Sequence, residues 1–177
     1  YRTHATQVRL FNNRVQRYLD SGYSEEESRK KAATSVAVPG TSEHHLGLAF
    51  DIVDAYYPYL NYNQENTDVQ KWLMEHCWEY GFILRYPDNS TDITGIIYEP
   101  WHYRYVGRDN AKKIFASGLC LEEYLEREAQ RSDIKTIVQT VLDRVPVNTV
   151  RRIFRLLTRG DTLFESIAGQ LMDVTKP

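Results

Sequence analysis

The ten residues Ser42-Glu43-His44-His45-Leu46-Gly47-Leu48-Ala49-Phe50-Asp51 constrain this chain more than any other stretch. They hold two good metal ligands, His44 and Asp51, seven positions apart. Residues 47–53 alternate in character and are rich in β-formers, so they read as a strand. A strand rises about 3.3 Å per residue, and straight extension would hold the two side chains too far apart to share an ion. A turn around Leu46 and Gly47 brings them together, and Gly47 has the backbone freedom that such a turn needs.

A second stretch, Glu99-Pro100-Trp101-His102, adds an imidazole and a carboxylate three residues before it. Two histidines and one carboxylate leave one position of tetrahedral zinc open, which is the catalytic rather than the structural pattern. Zinc lowers the pKa of a bound water to about 7. A carboxylate that is not a ligand can take that water's proton and hand it to a leaving amine. Glu99 fits that role because the stiff Pro100-Trp101 link ties it to His102. On spacing alone a bland account stands level with this one: Asp51 as a strand-end cap, Glu99 as a surface acid, and the histidines structural or exposed.

The bulk numbers exclude more than they select. The 177 residues, 42% apolar, suit one compact domain with or without a small appendage. A net charge of −2 gives no reason to expect nucleic acid. No stretch approaches the roughly 20 apolar residues of a membrane span. Thirteen tyrosines and three tryptophans suit a carbohydrate or peptide groove as well as a core, and the core takes most of them in this reading. Cys77 and Cys120 form no CxxC pair. Cys77 reads as a buried helix residue, and whether the two pair is left open. The chain opens at Tyr1 with no basic or apolar leader pattern and reads as a fragment.

Along the chain, periodicity predicts a helix over 5–19 on Val8, Phe11, Val15 and Leu19. A capping-box helix starts at Ser24 and runs to about Thr34. A loop follows over 55–66, then a helix from Thr67 or Asp68 to about Tyr80, ended by Gly81. Residues 82–86 read as a short strand, 87–91 as a turn, and 96–106 as extended with a break at Pro100. A helix from Asp109 to about Ala116 and another after Gly118 complete the first 125 residues. From about Glu126 the character shifts. Ile134, Ile137, Val138, Val141, Leu142 and Val145 form a helical stripe ended by Pro146, and two more stripes flank Gly160. This tail holds nine Lys/Arg against seven Asp/Glu. The expected division is a domain over 1–125 and a helical appendage over 126–177.

The motifs resemble a known family. Ser42 to Asp51 is similar to the Ser-x-His-x-x-Gly-x-Ala-x-Asp signature of the VanY-like D-alanyl-D-alanine carboxypeptidases. Glu99 to Gly107 resembles their Glu-x-Trp-His-x-Arg motif. Tyr1 to Gln7 resembles the end of a third, weaker segment, with Thr3 where the family has Ser. The resemblance implies an α+β fold, with a small antiparallel sheet carrying the site and helices around it. It implies one zinc ion on His44, Asp51 and His102, with Glu99 as general base. Arg2 matches the arginine that stabilises the oxyanion, for which a fixed guanidinium is well suited. Ser42 and Gln7 match residues contacting the peptide's C-terminal end, and Trp101 shapes the pocket wall or fills core. His45 falls out of register with Gly47 and Asp51. His4 and His76 match nothing.

The function implied is hydrolysis of the terminal D-Ala-D-Ala bond of peptidoglycan stem peptides, outside the cytoplasm. Three rivals share the site: an L,D-carboxypeptidase acting on tetrapeptides, a D-Ala-D-Ala dipeptidase, and a phage-type endopeptidase with a wall-binding tail. A non-enzymatic wall-binding module is disfavoured because Glu99 is retained. The tail reads first as a bundle that packs on the domain or on a second copy. The second reading is a binding surface around Arg151, Arg152, Arg155 and Arg159.

Overall fold

The computed structural model describes residues 1–144. Contacts divide the chain into two units, Tyr1–Glu126 and Arg127–Pro177. The first is α+β. Helix α1 (His4–Asp20) starts on Thr3, whose hydroxyl accepts from the Thr6 N–H. Helix α2 (Glu25–Ala33) carries the full Ser24/Glu27 capping box. Phe11 and Val15 of α1 pack with Ala32 of α2 as one core cluster.

Three short strands form one antiparallel sheet in the order β1-β3-β2: β1 (Ala49–Asp51), β2 (Phe82–Leu84) and β3 (His102–Tyr105). Between β1 and β2 runs α3 (Asp68–His76), which passes into a 3-10 turn, Cys77–Tyr80. Gly81 ends that turn with φ 89, and a Cβ there would lie 2.7 Å from the Tyr105 ring, so only glycine fits. A short helix α4 (Thr91–Thr94) precedes β3, and α5 (Arg108–Ser117) follows it. Ala111 and Ile114 of α5 pack with Ile83 and Tyr124 as the second cluster.

The strands are shorter than the sequence predicts. The Arg85 N–H still bonds the His102 carbonyl at 3.0 Å, just past the end of β2. The tyrosines depart from expectation more sharply. Tyr86, Tyr103 and Tyr124 are buried, but Tyr1, Tyr23, Tyr56, Tyr59, Tyr62, Tyr80 and Tyr105 are exposed. Amide side chains do part of the interior work instead. Gln70 is fully buried and accepts from the Tyr103 hydroxyl at 2.8 Å, and buried Gln64 donates to the Tyr59 carbonyl at 2.9 Å. Both cysteines are free and buried.

Helix α6 (Leu121–Arg144) is the last described element. Ile134 and Ile137 are exposed on it. The expected break at Pro146 and the stripes on either side of Gly160 lie outside the described residues.

One buried charge network joins sheet and helix. Arg85 donates Nε to Glu43 at 2.8 Å, and Nη1 and Nη2 to Glu122 at 2.9 and 2.6 Å. Removing one partner of a buried ion pair leaves uncompensated charge and costs roughly 3–5 kcal/mol. We expect Arg85→Ala to lose about 3 kcal/mol in thermal or denaturant unfolding, since Glu122 is partly exposed and Arg104 still pairs with Glu43. A loss of less than about 1 kcal/mol would mean that water solvates the acids left behind.

Candidate metal centre

The turn required between His44 and Asp51 is present. Residues Glu43–Leu46 form a 3-10 turn, and Gly47 closes it in the left-handed region with φ 69, its N–H on the His44 carbonyl at 3.2 Å. The chain folds back, so that His44 Nε2 lies 3.3 Å from Asp51 Oδ2. Asp51 stands directly opposite His102 in the β1–β3 register. Opposed residues of an antiparallel pair share a face, and His102 Nδ1 lies 3.0 Å from Asp51 Oδ1. The two imidazoles meet edge to face with centroids 4.9 Å apart. One donor atom from each of the three residues lies within 4.8 Å of the others. Two imidazoles and a carboxylate converging this closely fit a single divalent cation with an open position.

Glu99 arrives by a tight turn. Its carbonyl accepts the His102 N–H at 3.1 Å, closing four residues with Pro100 second, where a fixed φ is favoured. The carboxyl is buried, with Oε2 3.7 Å from His102 Nδ1. Burial pushes Glu99 up, His102 pulls it down, Asp51 adds to the rise, and Arg2 and Arg14 oppose it. The balance is about 7. Asp51 behaves oppositely. Burial works against its charge, but hydrogen bonds from His102 and His44 hold it well below the usual carboxylate range. For His102, burial favours the neutral ring, yet the neighbouring carboxylates of Asp51, Glu43 and Glu99 raise it to about 9. The charges that favour an imidazolium here favour a bound cation equally.

Arg2 is anchored three ways. Its N–H donates to the His44 carbonyl at 3.0 Å, Nη2 to Asp51 Oδ2 at 3.1 Å, and Nη1 to Gln7 Oε1 at 3.0 Å. Gln7 is held by the fold on both ends of its amide. It is fully buried, absent from the cavity wall, and its Nε2 is spent on the Ala37 carbonyl at 2.6 Å. It braces Arg2. Ser42 and Trp101 line the cavity beside the cluster, and the Ser42 hydroxyl makes no cap bond to the turn it precedes. The His45 ring meets His4 tilted, with centroids 5.9 Å apart, and His76 pairs with Glu79 at 2.8 Å, so all three stay outside the cluster.

Three charged residues at the site, Glu43, Arg85 and Arg104, are given no role by the sequence reading. Glu43 accepts from Arg85 and from Arg104 Nη1 at 3.1 Å. Burial raises Glu43, but His102, Arg85 and Arg104 outweigh that and hold it at about 2. The available signal was an arginine between two tyrosines, two places beyond His102, and another ending the run Phe82-Ile83-Leu84-Arg85. Charges so placed need buried partners.

A family model described as "VanY: D-alanyl-D-alanine carboxypeptidase" matches residues 1–108. A D-alanyl-D-alanine carboxypeptidase of Enterococcus faecalis is 48% identical over 129 residues, covering 72% of this chain and 46% of that protein. The chain therefore spans about half the length of that relative. A solved structure of VanYB in complex with D-alanine-D-alanine is 48% identical with TM-score 0.65, over 71% of this chain and 67% of that one. A VanY D,D-pentapeptidase variant from a VanB-type cassette, in complex with Zn(II), is 48% identical with TM-score 0.63 over the same shares.

Proposed function

The chain belongs to the VanY D-alanyl-D-alanine carboxypeptidase family, and from that premise we propose that it is a zinc carboxypeptidase removing terminal D-alanine from peptidoglycan stem peptides outside the cytoplasm. The observation that supports this best is the convergence of His44, Asp51 and His102 with the buried carboxyl of Glu99 beside them. Zinc on those three residues would supply a Lewis acid and lower the pKa of water to about 7. Glu99 then takes the proton of the attacking water and returns it to the leaving amine. Arg2, fixed by Gln7, faces the charge that develops on the scissile carbonyl oxygen. Ser42 and Trp101 bound the space for the peptide's C-terminal end. In this reading residues 1–125 are the catalytic domain and 126–177 a helical appendage, with self-association through its helices as one role. Among the described residues no helix is long and apolar enough to cross a membrane.

The deciding experiment measures D-alanine release from a muramyl pentapeptide and a tetrapeptide, with chelator and zinc add-back. Zinc-restored release from the pentapeptide is expected. Release from the tetrapeptide alone would transfer the assignment to an L,D-carboxypeptidase. No release from either, with zinc bound, would overturn it in favour of a cross-link endopeptidase or a binding module.

Zinc uptake should also release protons. His102 in the metal-free chain holds its proton up to about 9, and a ligand nitrogen must be unprotonated. Affinity is therefore expected to rise with pH up to about 9 and then level off. Calorimetric titration at pH 7.5 in buffers of differing ionisation enthalpy should show net proton release. Affinity independent of pH between 6.5 and 9 would contradict the placement of that proton.

A further inference from the structure

Beyond the ligands lies an arrangement that the proposed chemistry leaves unused. Glu43 sits one residue before His44 in the 3-10 turn, with its side chain only 15% exposed. Its Oε1 accepts from Arg85 Nε at 2.8 Å and lies 3.1 Å from Arg104 Nη1. Two guanidiniums thus fix one end of the carboxylate, and Arg85 is itself fixed by both oxygens of Glu122. The other oxygen, Oε2, is buried without a partner, and so is Nε2 of His102. The two atoms face each other at 3.9 Å, beyond ordinary hydrogen-bond length.

Buried polar atoms are rarely left unpaired, and a facing donor and acceptor are the natural remedy for each other. The tautomer follows from which nitrogen faces Asp51. Nδ1 is the nitrogen beside Asp51, 3.0 Å from its Oδ1. A neutral ring with its Nδ1 lone pair free carries its hydrogen on Nε2.

We propose that Glu43 is the positioning residue of the metal centre: its free carboxylate oxygen takes the Nε2–H of His102, fixing the ring's tautomer and aiming Nδ1 at the cation. The inference rests on the zinc reading above. It assigns Glu43, held at one end by Arg85 and Arg104, a purpose beyond charge balance: a rigid support for a single ligand. Partners of this kind commonly govern metal affinity about 10–100-fold.

A rival account makes Glu43 a counter-charge for Arg85 and Arg104 and nothing more. The test measures zinc affinity by chelator competition for the full chain, Glu43→Gln and Glu122→Gln, with melting temperatures for all three. Glu43→Gln is expected to weaken zinc binding about 10–100-fold. Glu122→Gln, which loosens Arg85 without facing His102, should lower the melting temperature yet stay within about threefold of the parent in affinity. Equal affinities for parent and Glu43→Gln would overturn the proposal while leaving the zinc reading intact. A parent that binds no zinc would overturn both. Nitrogen-15 histidine spectra of the zinc-loaded parent give a measurement that needs no variant. A slowly exchanging Nε2–H on His102 supports the proposal, and an Nδ1–H tautomer or a freely exchanging ring hydrogen overturns it.

Discussion

Replacing Glu99 with Gln is expected to lower turnover by a factor of roughly 10²–10⁴ while zinc stays bound, because the change removes a proton acceptor and little else. Gln matches Glu in shape, and Glu99 is not one of the three clustered donors. A general base works best with a pKa near the working pH, and burial brings Glu99 to about 7 in the metal-free chain. A cation alongside favours the carboxylate, so the acid limb of the rate profile should lie at or below that value. The check is D-alanine release measured together with zinc content. Activity within tenfold of the parent would sink the assigned role. Lost activity with lost zinc would show that the residue serves the metal instead.

Arg2→Ala should cost about 10²–10³ in kcat, the range seen when one oxyanion donor is removed. It should lower kcat and kcat/KM together, since a group that meets charge only in the transition state contributes little to ground-state binding. Arg2→Lys should recover little of the loss. A lysine is a point charge and cannot span Gln7 and Asp51 as the two guanidinium nitrogens do, at 3.0 and 3.1 Å. A raised KM with unchanged kcat would instead assign Arg2 to holding the substrate's carboxylate.

What the sequence disclosed about the site was local. The Gly47 turn, the stiff Glu99-Pro100 link and the register of His44 over His45 all follow from neighbouring residues, and each is seen in the fold. What it concealed depends on distant pairing. Nothing near Gln7 shows that its amide is consumed by Arg2 and Ala37, thirty residues away. Glu43 and Arg85 are 42 positions apart, and each reads alone as a surface charge. Gln64 and Gln70 look like solvated polar residues until their loop and sheet partners are in place. The tyrosines mislead for a related reason: a ring with a hydroxyl tip is content at a surface, so its apolar area overstates its burial.

The pairing of Asp51 with His102 also sets where this chain tolerates changes of length. Side chains alternate across a strand, so one residue gained or lost inside β1 or β3 turns a ligand to the opposite face and abolishes the centre at a stroke. The exposed loop around Tyr56, between the two strands, carries no such constraint. At Tyr56, almost wholly solvent-exposed, a few added residues cost only the slowly growing entropy of a longer loop, about 0.6 kcal/mol per doubling. Deletions and insertions along this family should therefore gather in that tyrosine-rich segment, leaving the two strands fixed in length.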